Sequence, residues 1–249
     1  MKIRASNNIL HNLVGTTWGA SSEVMRLSAI SLVNSVADYG SPVWILSKHI
    51  HLDDTQLNNT VRCVSGTIRA TPLPWLPVLT NIVPAKFRRK LMLKSLISKT
   101  NLFEESLLFD VLQENVNERL KSRTVIKKIF NDIILFDLNQ AWKDWWNSEA
   151  VFNHEFICDP TVKINGFDLP RKFWSLLNRI RTCQGCCNSC LYKWGIVDSP
   201  CCDCGSMDQT IPHIVLNCPL RRFAGDLSEL CNFETSRAKD WLFNLDLKL

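Results

Sequence analysis

Four cysteine and histidine side chains occur within one short stretch of the chain, between residues 199 and 219. The spacing C-x-C-x8-H-x4-C is formed by Cys202, Cys204, His213 and Cys218. Thiolates and imidazoles are the usual ligands of closed tetrahedral zinc sites, and four protein ligands leave no position for a catalytic water. The spacing therefore predicts a small zinc knuckle, with zinc as a structural cofactor.

The sequence also predicts the local structure of this stretch, but it leaves two candidates for one of the four ligands. We expect a tight turn that closes at Gly205, with His213 and Cys218 about a turn and a half apart on a helix. Cys201 could replace Cys202, which would give a C-x-x-C pair. Free thiols beside an unrelated histidine are the alternative to a metal site.

A second group of cysteines precedes the first one in the chain. The members of this group are Cys183, Cys186, Cys187 and Cys190. Their C-x-x-C spacings are compatible with a second metal site, or with a site shared with the knuckle. The chain has eleven cysteines in all. Inside a cell, where thiols stay reduced, clustered cysteines favour metal binding over a disulfide framework.

The expected compartment follows from hydropathy. No run of about 18–20 residues is both uncharged and mainly apolar, as a membrane span requires. The first residues lack the unbroken apolar segment of a signal peptide. We therefore expect an intracellular protein of the nucleus or cytoplasm, with no membrane partner.

Charge is distributed unevenly along the chain. Residues 1–100 contain twelve Lys and Arg against four Asp and Glu, whereas residues 101–150 contain six against nine. A basic first segment combined with a zinc knuckle predicts contact with a polyanion such as RNA or DNA. The alternative is a solvated face that binds nothing.

Two predicted helices carry the candidate phosphate contacts. The first begins near Pro84 and ends near residue 99, and it carries basic residues along one side. The second covers about 170–181 and has basic residues that we expect to be available to solvent or phosphate. The predicted nucleic-acid-binding residues are Lys86, Arg89, Lys90, Lys94, Arg179 and Arg181.

Helical periodicity dominates the chain, and no long alternation of apolar and polar residues predicts a strand. The predicted fold class is therefore mostly α, in two helical modules. A helix over about 22–37 has apolar residues at every third position and is predicted to be central and buried. We divide the chain into residues 1–104, a connector over 105–165 whose tryptophan-rich helix is predicted to pack, and residues 166–249.

Several strings resemble the end of the reverse transcriptase of jockey-like non-LTR (LINE-type) retrotransposons. The likeness covers most of the chain and is weakest over 101–150. The strings are LVGTTWG (13–19), YGSPVW (39–44), DTQLN (54–58), TPLPWLPVL (71–79), GFDLPRK (166–172), WGIVDSP (194–200) and CPLRRF (218–223).

The resemblance implies a helical thumb in residues 1–104 and a C-terminal CCHC zinc-knuckle domain in residues 166–249. In that family the thumb follows the catalytic palm of an RNA-directed DNA polymerase, and the knuckle domain helps to hold element RNA or target DNA. Cys202, Cys204, His213 and Cys218 match the family's metal ligands one for one. The implied partner is nucleic acid, with no small-molecule substrate.

No catalytic residue is predicted. Asp53 and Asp54 resemble the aspartate pair of a polymerase palm, but that pair lies in a β-hairpin, and here Leu57, Val61 and Val64 follow at helical spacing. An aspartate at this place is expected to cap the helix. Palm and endonuclease are not recognised, so we expect a truncated element that is inactive alone. A zinc-stabilised protein-interaction module is the alternative function.

Overall fold

The computed structural model describes residues 2–15, 17–101 and 132–247, and these residues are mostly helical, which confirms the predicted fold class. Within these ranges the β-type pairing is one antiparallel bridge between Val14 and Gly19. Residues 105–131 of the predicted connector lie outside the described residues. None of the described helices is both long and apolar enough to cross a membrane.

The helices are numbered here in chain order. Helix α2 is continuous over residues 22–38, with α-helical ends around a π-helical segment, Ala29–Asn34. The others are α1 (Lys2–Leu13), α3 (Ser41–Trp44), α4 (Ile50–Ser65), α5 (Trp75–Thr80), α6 (Ala85–Asn101), α7 (Leu138–Ser148), α8 (Arg171–Arg181), α9 (Asn188–Lys193), α10 (Leu227–Asn232) and α11 (Ser236–Asn244).

Helix α2 exposes the face that was predicted to be buried. Val24 is 51% and Leu27 54% exposed, whereas Met25, Ala29 and Val33 are fully buried. Residues three apart drift around a helix that turns about 100° per residue, so a period of three does not mark one face. The buried residues recur every four positions, so α2 is buried along one side only, and the prediction of a buried helix was wrong for its other side.

Helices α1, α2 and α4 form the first core, and a buried polar contact fixes α1 against α4. Asn7 Nδ2 donates to the carbonyl oxygen of Gln56 at 3.0 Å. Thr60 Oγ1 donates to Asn7 Oδ1 at 2.6 Å. Because buried polar groups need partners, this pair sets how the two helices align.

The second core is built on two tryptophans. Trp75 of α5 and Trp146 of α7 meet edge to face, with ring centroids 5.1 Å apart. Each indole N–H reaches a backbone carbonyl, Phe152 for Trp75 and Ile157 for Trp146. The prediction that the tryptophan-rich helix serves packing is confirmed, and this core joins residues on both sides of 102–131.

The third core surrounds α8 and supports the segment that carries the predicted metal ligands. Trp174, Leu177 and Ile180 of α8 are almost completely buried. They share one apolar cluster with Ile211, Ile214, Val215, Leu230, Phe233, Ala238 and Leu242.

Helix α8 also caps the C-terminal end of α4. Arg171 donates to the carbonyl oxygens of Cys63 and Val64, and Trp174 Nε1 donates to Val64 at 3.3 Å. Asn178 Nδ2 donates to the Ser65 carbonyl at 2.9 Å. The last carbonyls of a helix lack partners within it and carry partial negative charge, so buried donors and a cation stabilise them.

The contact between α4 and α8 depends on Gly66. This residue ends α4 in the left-handed region, with φ +71°. An added Cβ would lie 2.0 Å from Ser175 Oγ on α8. Glycine alone suits both the backbone conformation and the close approach.

Candidate metal centre and basic surface

The four predicted ligands meet at one point. One ligand atom from each side chain lies within 4.8 Å of all the others, in the group Cys202, Cys204, His213 and Cys218. Two sulfurs bound to one tetrahedral zinc at about 2.3 Å would lie about 3.8 Å apart. Cys202 Sγ and Cys218 Sγ are 3.9 Å apart, so the donor set and its spacing fit a bound metal ion.

A tight turn presents Cys202 and Cys204. The N–H of Gly205 donates to the Cys202 carbonyl, and the N–H of Cys202 donates to the Ser206 carbonyl, both at 2.9 Å. Gly205 has φ +90°, a conformation that favours glycine. The predicted turn that closes at Gly205 is confirmed.

A π-turn, His213–Asn217, presents the other two ligands. The N–H of Cys218 donates to the His213 carbonyl at 2.7 Å, five residues back. On an α-helix residues five apart point in different directions, since each residue turns about 100°. The wider π-turn brings them to one side, and such turns are frequent at functional sites. His213 Nε2 lies 3.2 Å from Cys204 Sγ.

Gln209 is a functional residue that the sequence reasoning missed. Its side chain is buried, with Nε2 3.7 Å from Cys202 Sγ and Oε1 accepting from the Asn188 N–H at 3.0 Å. It thereby links the metal cluster to the start of α9. Such partners orient the ligands of metal sites. In the sequence, the position of Gln209 between Cys204 and His213 was the one indication of this role.

The electrostatics of the cluster favour a cation. Burial raises the pKa of Cys202, but hydrogen bonds from the Cys204 backbone and from Gln209, Cys204 and His213 outweigh it and lower that pKa to about 6. For Cys204 the Ser206 N–H lowers the pKa, but burial and the Cys202 and Cys218 thiols together raise it. One thiolate therefore forms readily, and a metal ion would stabilise the others.

Two alternatives from the sequence are now resolved. Cys201 is exposed and lies outside the cluster, and its carbonyl accepts from Asn188 Nδ2 at 2.8 Å. Among the described residues, the Cys202 cluster is the one group of three or more His, Cys, Asp or Glu side chains close enough to hold a metal. The group that begins at Cys183 does not form a second one.

The predicted basic stripe on α6 is only partly exposed to solvent. Lys86 and Lys90 are exposed, and Lys86 Nζ lies 3.8 Å from the ring centroid of Trp145. Lys94 Nζ donates to the Phe136 carbonyl at 2.7 Å. Lys86 and Lys90 are thus the members of the stripe that can reach a ligand.

Arg89, the fourth basic residue predicted on α6, does not face solvent. It is 4% exposed and donates two hydrogen bonds to the Asp54 carboxylate, at 2.7 and 3.2 Å. The predicted cap was wrong, because α4 begins at Ile50. Asp53 nevertheless lies in the first turn of α4, where a negative charge interacts favourably with the helix dipole. Asp54 serves instead to neutralise Arg89 where α4 meets α6.

The predicted availability of Arg179 and Arg181 to solvent was wrong. Arg179 is 8% exposed, and its Nε donates to the Gly66 carbonyl. Arg181 is fully buried and donates to the Cys231 and Asn165 carbonyls. Burial lowers the pKa of Arg181 to about 10, so it stays charged at neutral pH and serves the packing of α8.

The chain resembles one curated retrotransposon protein over part of its length. It is 28% identical over 101 residues to the Retrovirus-related Pol polyprotein from type-1 retrotransposable element R1 of Bradysia coprophila. The match covers 40% of this chain and about a tenth of that protein. No protein-family model and no solved structure matches. The similarity supports a retrotransposon-related protein.

Proposed function

We propose that the protein binds RNA or DNA as part of a retrotransposon polyprotein and that its metal is zinc. The observation that carries the proposal is the closed group of four ligands in a chain similar to an R1 Pol polyprotein. Four protein ligands make zinc a structural ion, without a coordination site for substrate. In this proposal residues 1–104 are thumb-like and residues 166–249 form the knuckle domain.

Zinc would hold together two segments that do not belong to the same helix or strand. Cys202 and Cys204 lie on a turn, and His213 and Cys218 lie at the two ends of a π-turn. When bound, zinc supplies the energy that fixes these segments, as in other small structural sites. The π-turn contributes Ile214 and Val215 to the core around α8.

Nucleic acid would bind chiefly through phosphate contacts. Residues 1–100 have the large excess of basic residues, and Lys86 and Lys90 are exposed on α6. Each phosphate that a lysine neutralises releases counterions, so affinity falls as salt concentration rises. This salt dependence is the measurable signature of the proposed function.

The test measures the binding of labelled single-stranded RNA at several salt concentrations. The logarithm of the affinity is expected to fall linearly with that of the salt concentration. The double variant Lys86→Gln/Lys90→Gln should flatten the slope by about 1.4, for two lost phosphate contacts.

The matched control is Lys193→Gln/Lys239→Gln, which removes two exposed lysines outside residues 1–100 and should leave the slope unchanged. Folded wild-type protein that binds neither RNA nor DNA at low salt would overturn the proposal.

A second candidate, a zinc-stabilised protein-interaction module, is favoured by the exposed apolar face of α2. Val24 and Leu27 are more than half exposed, and a groove of about 950 Å³ beside Ile30, Val43 and Met92 continues this face. Under this candidate, nuclease-treated protein should still retain its protein partner. Leu27→Asp should abolish that contact and leave the affinity for RNA unchanged.

A further inference from the structure

A basic pocket opens where α1, α4 and the first turn of α8 meet. Its volume is about 410 Å³, and none of its lining residues is acidic. The polar side chains of the lining come from three separate parts of the chain, and they are His11, Asn59, Arg62, Thr67 and Arg171. A concave site with cationic walls and no carboxylate is suited to an anion.

Arg62 is incompletely bonded in this pocket. Its Nε is buried and has no hydrogen-bond partner among the described residues. Burial, and then the nearby charge of Arg69, lower the pKa of Arg62. An unpaired buried donor is unfavourable, and two arginines close together repel one another. Because Arg62 lines the pocket, an oxyanion bound there would offset the repulsion between the two arginines.

Arg171 gives the pocket a fixed positive charge. Its guanidinium donates to the carbonyls of Gly15, Val64 and Cys63. Burial lowers its pKa to about 10, which leaves it charged at neutral pH. Because these three bonds hold the side chain, little conformational entropy is lost when an anion binds beside it.

An exposed tryptophan lies next to the pocket. Trp18 is 61% exposed, and its ring covers Gly15, which lines the pocket. A Cβ added to Gly15 would lie 2.3 Å from Trp18 Nε1. An aromatic ring beside a cationic groove is the arrangement with which proteins bind single strands, because bases stack on the ring while phosphates meet the charges.

We propose that this pocket binds a backbone phosphate of single-stranded RNA or DNA and that a neighbouring base stacks on Trp18. The inference rests on the proposed function and adds a site that the predicted stripe on α6 does not include. A duplex fits less well, since its bases are already stacked on one another and do not offer a free face to Trp18.

The test compares a labelled single strand of about 12 nucleotides with a duplex of the same length by fluorescence anisotropy. Trp18→Ala should weaken single-strand binding about tenfold and leave duplex binding unchanged. Arg62→Gln should flatten the salt slope for the single strand by about 0.7. Arg62→Lys retains the charge and should keep the slope, which separates loss of charge from misfolding.

Matched controls are Tyr39→Ala, which removes another exposed aromatic residue, and Arg237→Gln, which removes another exposed arginine. Neither should change affinity. If wild type binds the single strand, but folded Trp18→Ala and Arg62→Gln bind it with unchanged affinity and salt slope, the pocket assignment is overturned while the proposed function stands. If Trp18→Ala weakens duplex binding equally, the stacking role is overturned. If folded wild type binds no nucleic acid, both proposals fail.

Discussion

Cys201 and Cys202 are neighbours in the chain, but their side chains have different surroundings. Cys201 is exposed, whereas Cys202 is buried beside Cys218 and accepts a hydrogen bond from Gln209. A thiol becomes a metal ligand when other ligands meet it and when its thiolate is stabilised. At the residue scale, Cys202 and Cys204 are therefore the two cysteines of this turn that could hold a metal ion.

The residue-scale prediction concerns the zinc content of the protein. Cys204→Ser should reduce bound zinc to near zero and lower the melting temperature, because structural zinc sites contribute about 10–16 kcal/mol to folding in small domains. Metal analysis and a thermal melt of the purified protein measure the two effects.

Cys201→Ser is the matched control, since it changes the adjacent thiol outside the cluster. It should retain full zinc and wild-type stability. Equal zinc in both variants would show that the ligand assignment is wrong.

Single residues also show where sequence reasoning succeeds and where it fails. The ligand types and spacing were enough to find the metal group, because all four ligands lie within seventeen residues of one another. Arg179 and Arg181 were predicted to be available to solvent or phosphate, but both are buried. Their carbonyl partners are supplied by Gly66 and Cys231, which are distant in sequence and cannot be identified without the fold.

At the scale of elements, α8 packs in an apolar core and also donates hydrogen bonds to the end of α4. One side lies in an apolar core with Ile214 and Leu242. The side chains of Arg171, Trp174 and Asn178 donate hydrogen bonds to the carbonyl oxygens at the end of α4. Periodicity predicted that α8 exists and where it ends, but the position of its partner, over a hundred residues earlier, depends on tertiary packing.

The element-scale prediction tests this cap. Asn178→Ala should destabilise the protein by about 1–3 kcal/mol, because the buried carbonyl of Ser65 loses its side-chain donor. Chemical denaturation, followed by circular dichroism, measures the change in the free energy of unfolding.

Asn147→Ala is the control for this prediction, because Asn147 is exposed on α7. It should change the free energy by less than about 0.5 kcal/mol. A loss in Asn178→Ala no larger than in the control would mean that the cap of α4 contributes little.

At the scale of the whole molecule, residues 2–101 and residues 132–247 are packed together. Trp75 meets Trp146, and α8 caps α4. The sequence predicted a division into residues 1–104, a connector over 105–165 and residues 166–249. The contacts show that residues 2–101 present buried surfaces to residues 132–247.

The prediction at this scale uses two fragments, residues 1–101 and 132–247, produced singly or together. Residues 1–101 alone should melt without cooperativity, because Trp75 and the carbonyls at the end of α4 lose their partners. Produced together, the fragments should co-purify and regain a cooperative melt. A cooperative melt of residues 1–101 alone, at the temperature of the full chain, would contradict this.

The position of Arg171 at the start of α8 has a consequence for regulation. Arg171 lines the basic pocket, and Trp174, one turn later, shares a core with the π-turn of His213. If metal binding orders α8, the metal cluster and the pocket are thermodynamically linked. Linkage is reciprocal, so zinc would raise the affinity for RNA by the same factor by which RNA raises the affinity for zinc.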